Sequence, residues 1–145
     1  MDHLTVGVFH DDALARELGK KGTASDLLMF NRKTDERIFT FLAPAAEKIT
    51  VKSQIASAID AAVVSCEVIS AEFGETVLLL DAMGVREGML VLPLYADRER
   101  VAATVRGTTL ASFHVMERKP AEILDCLSSM AAVRDAASPT VVSVD

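Results

Sequence analysis

A chain of 145 residues, half of them hydrophobic, can bury one sizeable core but not two, so a single main domain is expected. Its formal charge of −6 argues against a strongly basic nucleic-acid face and leaves room only for a local basic patch. No window reaches the ~18 apolar residues of a membrane span, the start MDHLTVGVF carries no basic leader, and Cys66 and Cys126 stand at no metal-ligand spacing. A cytoplasmic chain with two packed thiols, no bound metal and no membrane partner is the expectation.

Leu4 to Phe9 reads as a buried strand. His10-Asp11-Asp12 then starts a helix, where an aspartate can accept hydrogen bonds from the free amides of the first turn, and Leu14 and Leu18 lie one turn apart on its inner face. Gly19 and Gly22 bracket Lys20-Lys21, and a glycine there can end the helix in the left-handed conformation. The segments ASDLLMFN and RIFTFL, separated by the polar turn RKTDE, predict an antiparallel hairpin. Pro44 breaks its second strand and leads into a helix from about Ala46 to Ala58, with Val51, Ile55, Ala58 and Ile59 toward the core.

The rest of the chain is organised around Ile59 to Leu94. An apolar, β-branched run from Ala61 to Cys66, an amphipathic segment from Phe73 to Met83 and a second apolar run from Met89 to Leu92 predict strand, helix, strand. Two parallel strands joined by a helix form a crossover unit, onto whose sheet the other elements stack. Asp97 is placed to cap a helix that buries Val101, Ala102 and Val105 and ends near Gly107. Leu110 to Met116 predicts one more strand, and Pro120 opens a last helix with Ile123, Leu127 and Met130 on one stripe. Ala136 to Pro139 reads as a linker and TVVSVD as a strand-like fragment. Residues 1–136 are therefore expected to form one domain, and residues 137–145 a linker and the start of a following one. The predicted fold class is α/β: a three-layer α/β/α sandwich around a mostly parallel sheet of about six strands with one antiparallel edge strand.

The element order, together with the segment SAIDAAVVSCEVISAEFGETVLLLDAMGVREGMLVLPLYAD, resembles the G domain of translational GTPases, especially elongation factor Tu and the archaeal selenocysteine-specific elongation factors. The likeness rests on an Asp-Ala-Ala strand (Asp60 to Ala62), a helix led by Gly-Glu-Thr (Gly74 to Thr76), a Gly-Val turn (Gly84-Val85) and a strand running into the guanine-motif position. It implies a P-loop GTPase-like fold, a β-barrel domain following in the same polypeptide, and contact of the full-length protein with tRNA or the ribosome.

The motifs depart from that family. Cradling GTP phosphates requires GxxxxGK[ST], whereas the first strand here runs into HDDALARELG, which has no glycine, lysine or hydroxyl at the required spacing. Asp11 and Asp12 moreover put negative charge at the positive end of the helix, where phosphate would sit. The Asp-x-Pro-Gly position holds Leu42-Ala43-Pro44-Ala45, where only Pro44 matches, and Ala46 and Glu47 supply no catalytic histidine. At the Asn-Lys-x-Asp position stand Leu94-Tyr95-Ala96-Asp97. Asp97 is either a remnant of the base-binding carboxylate or a helix cap, and Thr23 and Ser25 are candidate relics of the first switch. The departures imply a fold retained without its hydrolytic machinery: no catalytic residue and no resident cofactor. GTP and magnesium are expected only under the alternative of an atypical pocket that still binds and hydrolyses GTP.

Other chemistries fit less well. The acids after the first strand resemble a phosphoacceptor receiver site, but no Asp ends the third strand and no Lys the fifth. Ser112 and His114 alternate on one predicted strand, with no acid to orient the histidine and no nucleophile elbow. Lys20-Lys21 and Arg32-Lys33 are either solvated charges or contacts for tRNA or rRNA phosphates. Phe30, Phe39 and Phe41 are either hairpin core or a dimer or interdomain contact. The sequence thus reads as a degenerate GTPase-like domain of an elongation-factor paralogue, acting as a scaffold or partner-binding domain. The alternatives are a working GTP-binding factor or a stand-alone interaction module, and a homodimer is a further expectation.

Overall fold

β5 (Ala61–Ser65) is buried at every position, because the sheet continues on both of its edges and helices cover both of its faces. It pairs in parallel with β1 (Asp2–Phe9) on one side and with β6 (Glu87–Val91) on the other. The crossover helix α3 (Ala71–Ala82) joins β5 to β6, as the apolar runs predicted. In this computed structural model the described residues are 2–18, 20–21, 27–34, 37–44, 49–67, 69–93 and 95–130.

Along the chain, α1 (Asp12–Leu18) follows β1, and β2 (Lys20–Lys21) precedes the predicted hairpin of β3 (Leu27–Lys33) and β4 (Arg37–Pro44). α2 (Ile49–Ala58) leads into β5. After β6 come α4 (Arg98–Val105), a short 3-10 turn (Thr109–Ser112), β7 (His114–Met116) and α5 (Pro120–Ser128). The sheet order is β2-β3-β4-β1-β5-β6-β7. β1, β4, β5, β6 and β7 run parallel, and β3 runs against β4 with Phe30 opposite Phe41.

Six strands of this sheet are the expected ones, with two corrections. Lys20-Lys21, outside every predicted strand, pairs with Asn31 and Phe30 as a two-residue strand, so the antiparallel β3 lies one strand in from the edge. The expected strand from Leu110 to Met116 shrinks to β7. Thr108 Oγ1 accepts from the Leu110 amide at 3.2 Å and Ser112 Oγ donates to the Thr109 carbonyl at 2.9 Å, local bonds that favour a turn over a ladder.

Residues alternate across the sheet, so each strand feeds two cores. On one face Ala62, Val64 and Leu90 meet Val51 and Ile55 of α2, Phe73, Val77 and Leu80 of α3, and Val101 and Val105 of α4. On the other, Ala61, Val63 and Met89 meet Leu14 and Leu18 of α1 and Ile123 and Leu127 of α5. Ala102 is exposed, contrary to expectation, because the narrow contact of an eight-residue helix holds only the pair one turn apart, Val101 and Val105. Phe30, Phe39 and Phe41 are core residues, the last two stacked with ring centroids 5.8 Å apart. Cys66 is buried and Cys126 half-buried.

The turn between the core and the chain's last described residues is held by Arg37. Its buried guanidinium donates to the carbonyls of Leu127 and Met130 at and just beyond the end of α5, where the Leu127 carbonyl also accepts from the Met130 amide at 3.1 Å. Among the described residues, no helix is long and apolar enough to cross a membrane. Gly19, Gly22, Thr23, Ser25, Ala45 to Glu47, Leu94 and the expected linker and following segment lie outside the described residues.

Candidate functional site

In open α/β sheets, ligands settle at the carboxyl ends of the strands where neighbouring strands send their helices to opposite faces. Here α1, after β1, packs in one layer and α3, after β5, in the other, so that point falls between β1 and β5. The three motif positions lie just after β1, in the last residues of β4 and just after β6, parallel strands, and so share this edge.

His10 is the first residue beyond β1 and sits in the left-handed region at φ 68, unusual for a residue with a side chain. Its Nε2 lies 2.9 Å from Oγ1 of the fully buried Thr76 on α3, and its ring lies 6.5 Å from that of Phe73. Thr76 Oγ1 donates its one proton to the Glu72 carbonyl at 3.1 Å, so it accepts from His10, which places a proton on Nε2. The imidazole therefore spans the crevice between β1 and β5.

Asp11 does two things. Its Oδ1 accepts from the Leu14 amide at 3.0 Å and caps α1. Its carboxylate also accepts from Arg118, with Nε 2.7 Å from Oδ2 and Nη2 3.3 Å from Oδ1, and the same Nη2 lies 2.8 Å from Glu17 Oε2. Hydrogen bonding to Asp11 above all, then to Glu17, raises the guanidinium's affinity for its proton further. The anion at the start of α1 is the chain's own carboxylate, and its cation comes from the loop after β7. The Asp12 side chain lies outside the described residues.

At the second motif position Leu42 and Ala43 are buried in the two cores and offer no polar group. At the third, Asp97 Oδ1 accepts from the Arg100 amide at 3.1 Å, the geometry of a helix cap, beside the exposed Tyr95. Asp97→Ala is expected to lower stability by about 1 kcal/mol and Asp97→Asn by much less, since asparagine caps equally well. Urea unfolding of the two variants checks this, and equal losses would contradict the capping role.

Other sequence candidates are not brought together. Ser112 lies in the 3-10 turn and His114 on the exposed β7, so they share no strand face. Cys66, at the end of β5, is buried, and burial pushes its thiol up to about 12, which leaves no thiolate for chemistry. Arg32 and Lys33 are exposed on β3. Among the described residues no group of His, Cys, Asp and Glu could hold a metal ion. Sequence reasoning missed Arg118 and Thr76, which lie 107 residues from Asp11 and 66 from His10, beyond any local pattern.

No protein-family model matches the chain. It is 30% identical over 138 residues to an uncharacterised protein of Methanocaldococcus jannaschii, an alignment covering 93% of this chain and 45% of that protein. The chain thus spans less than half the length of the curated relative it matches. Among solved structures it resembles translation elongation factor SelB of Methanococcus maripaludis in complex with the GTP analogue GPPNHP, with a TM-score of 0.64, 18% identity, and coverage of 92% of this chain and 36% of that one. A bacterial selenocysteine-specific elongation factor, EF-Sec, gives a TM-score of 0.61 at 10% identity, over 100% of this chain and 30% of that one. At these identities the likeness is one of fold, and the chain has the fold of a translational GTPase G domain.

Proposed function

We propose that this chain is a degenerate GTPase-like domain of a translation elongation factor paralogue, of the Tu or selenocysteine-specific type, which does not hydrolyse GTP and serves as a scaffold or partner-binding domain. The observation that carries the reading is the Asp11–Arg118 pair, which puts a carboxylate at the start of α1, where a nucleotide's phosphates would need bare amides and a cation. The buried apolar side chains of Leu42 and Ala43 point the same way. In this reading the domain is cytoplasmic, carries no cofactor, and works beside a following β-barrel domain of the same polypeptide. Contact with tRNA or the ribosome belongs to the full-length protein, and Asp97 serves as a cap rather than a ligand for guanine.

Calorimetry with GTP and with GDP, each with magnesium, tests the proposal. No heat of binding is expected at concentrations able to detect a Kd of ~100 μM, about −5.5 kcal/mol. Guanine-specific binding would favour a working GTP-binding factor with an atypical pocket.

A further inference from the structure

We propose that the outer edge of β7 and the apolar cavity beside it take an extended peptide segment of a partner protein. The segment adds a strand to the sheet, seats an aliphatic side chain in the cavity and sets a carboxylate two residues away against Arg98. The cavity, about 130 Å³, lies between α4 and the last strands of the sheet, walled by Leu92, Val101, Leu110, Phe113 and Val115. A cavity of about 150 Å³ with walls of this kind holds a benzene ring, so one leucine-sized side chain has room here. Arg98, exposed in the first turn of α4, is the charged residue of the lining. Among the described residues its guanidinium has no ion-pair partner.

The backbone of β7 supplies the other half of the site. β7 ends the sheet, with β6 on its inner side. The Leu92 amide donates to the Met116 carbonyl, and alternate residues of a parallel strand bond the same neighbour. His114 and Met116 therefore bond β6, while Val115 turns its N–H and C=O outward, where no described strand pairs with them. The Val115 side chain, 50% exposed, forms the cavity's outer wall. On an added strand, the residue opposite Val115 points to the same face of the sheet, over the cavity mouth. The residue two positions along stands on that face as well, ~6.6 Å further, alongside α4. Charge favours an acidic segment, since α4 and its C-cap carry Arg98, Arg100 and Arg106 against Glu99 in a chain of net charge −6. Main-chain bonds give such an added strand its affinity, and the pocket selects its sequence. With only three residues, β7 recruits poorly any strand that lacks the apolar anchor.

The inference rests on the proposed partner-binding role and gives that partner a chemistry. Its test uses no nucleotide, so guanine binding and the absence of peptide binding are separate failures. The full chain, labelled with nitrogen-15, is titrated with the peptide acetyl-Thr-Val-Thr-Leu-Thr-Asp-Thr-amide. The Ala102 and Val115 amides are expected to shift saturably, and those of Thr5 and Asp60, bonded to each other across the sheet from the cavity, to stay. Arg98→Glu, and Val115→Pro, which removes the outward N–H and leaves the bonds to β6, should each weaken binding about tenfold. Replacing the peptide's leucine by alanine should weaken it as much, and decides the question even where Val115→Pro unfolds the chain. No saturable shift at millimolar peptide would overturn the proposal, and so would equal affinity for the leucine and alanine peptides. A monomer–dimer equilibrium in sedimentation that Arg98→Glu or Val115→Pro abolishes would give the edge to a second copy of the chain, and overturn it too.

Discussion

Phe73→Ala is expected to destabilise the protein by about 3–5 kcal/mol, the range for deleting a buried aromatic side chain. Phe73 is completely buried in the first turn of α3, and its amide is the one capped by Ser70 Oγ at 3.3 Å. Its ring contacts the core below and faces the imidazole of His10 above. Truncation therefore opens a cavity and frees the histidine that links the end of β1 to α3. Urea unfolding followed by circular dichroism measures the loss, and a change below about 1 kcal/mol would mean that the site collapses without cost.

Gly88→Ala should cost about 3 kcal/mol or more, at the upper end of overpacking effects. A Cβ at Gly88 would stand 2.2 Å from the carbonyl oxygen of Ala62 and 2.6 Å from Cε2 of Phe113. The ring can turn aside, but the oxygen belongs to β5 and moves only with the central ladder between β5 and β6. Thermal unfolding of the variant reads the effect, and an unchanged midpoint would contradict the close approach of the two strands.

The crossover from β5 to β6 is legible in sequence because strands buried on both faces need continuous apolar runs and the helix between them needs a one-sided stripe. The caps are legible too: Asp97 and Pro120 stand where helix starts require such residues. β2 is not, since two lysines become a strand only because the edge of β3 passes beside them. Nor is the 3-10 turn before β7, where an alternating pattern yields to hydrogen bonds from Thr108 and Ser112. At the site, the two acids after β1 mark a place hostile to phosphate, and the structure gives Asp11 the capping role expected there. The partners that fix the loop, Thr76 and Arg118, come from α3 and from beyond β7, and only the closed sheet brings them to it.

The central claim, that the chain's own side chains occupy the edge where a nucleotide would sit, is tested most directly by residue-resolved NMR. The full chain is titrated with GTP and magnesium while the amide signals of His10, Asp11 and Leu14 and the imidazole Nε2–H of His10 are followed. Those signals should stay where they are to millimolar nucleotide, with the Nε2–H proton still held by Thr76. Saturable shifts at these positions with GTP, and none with ATP, would show that the edge admits a guanine nucleotide after all.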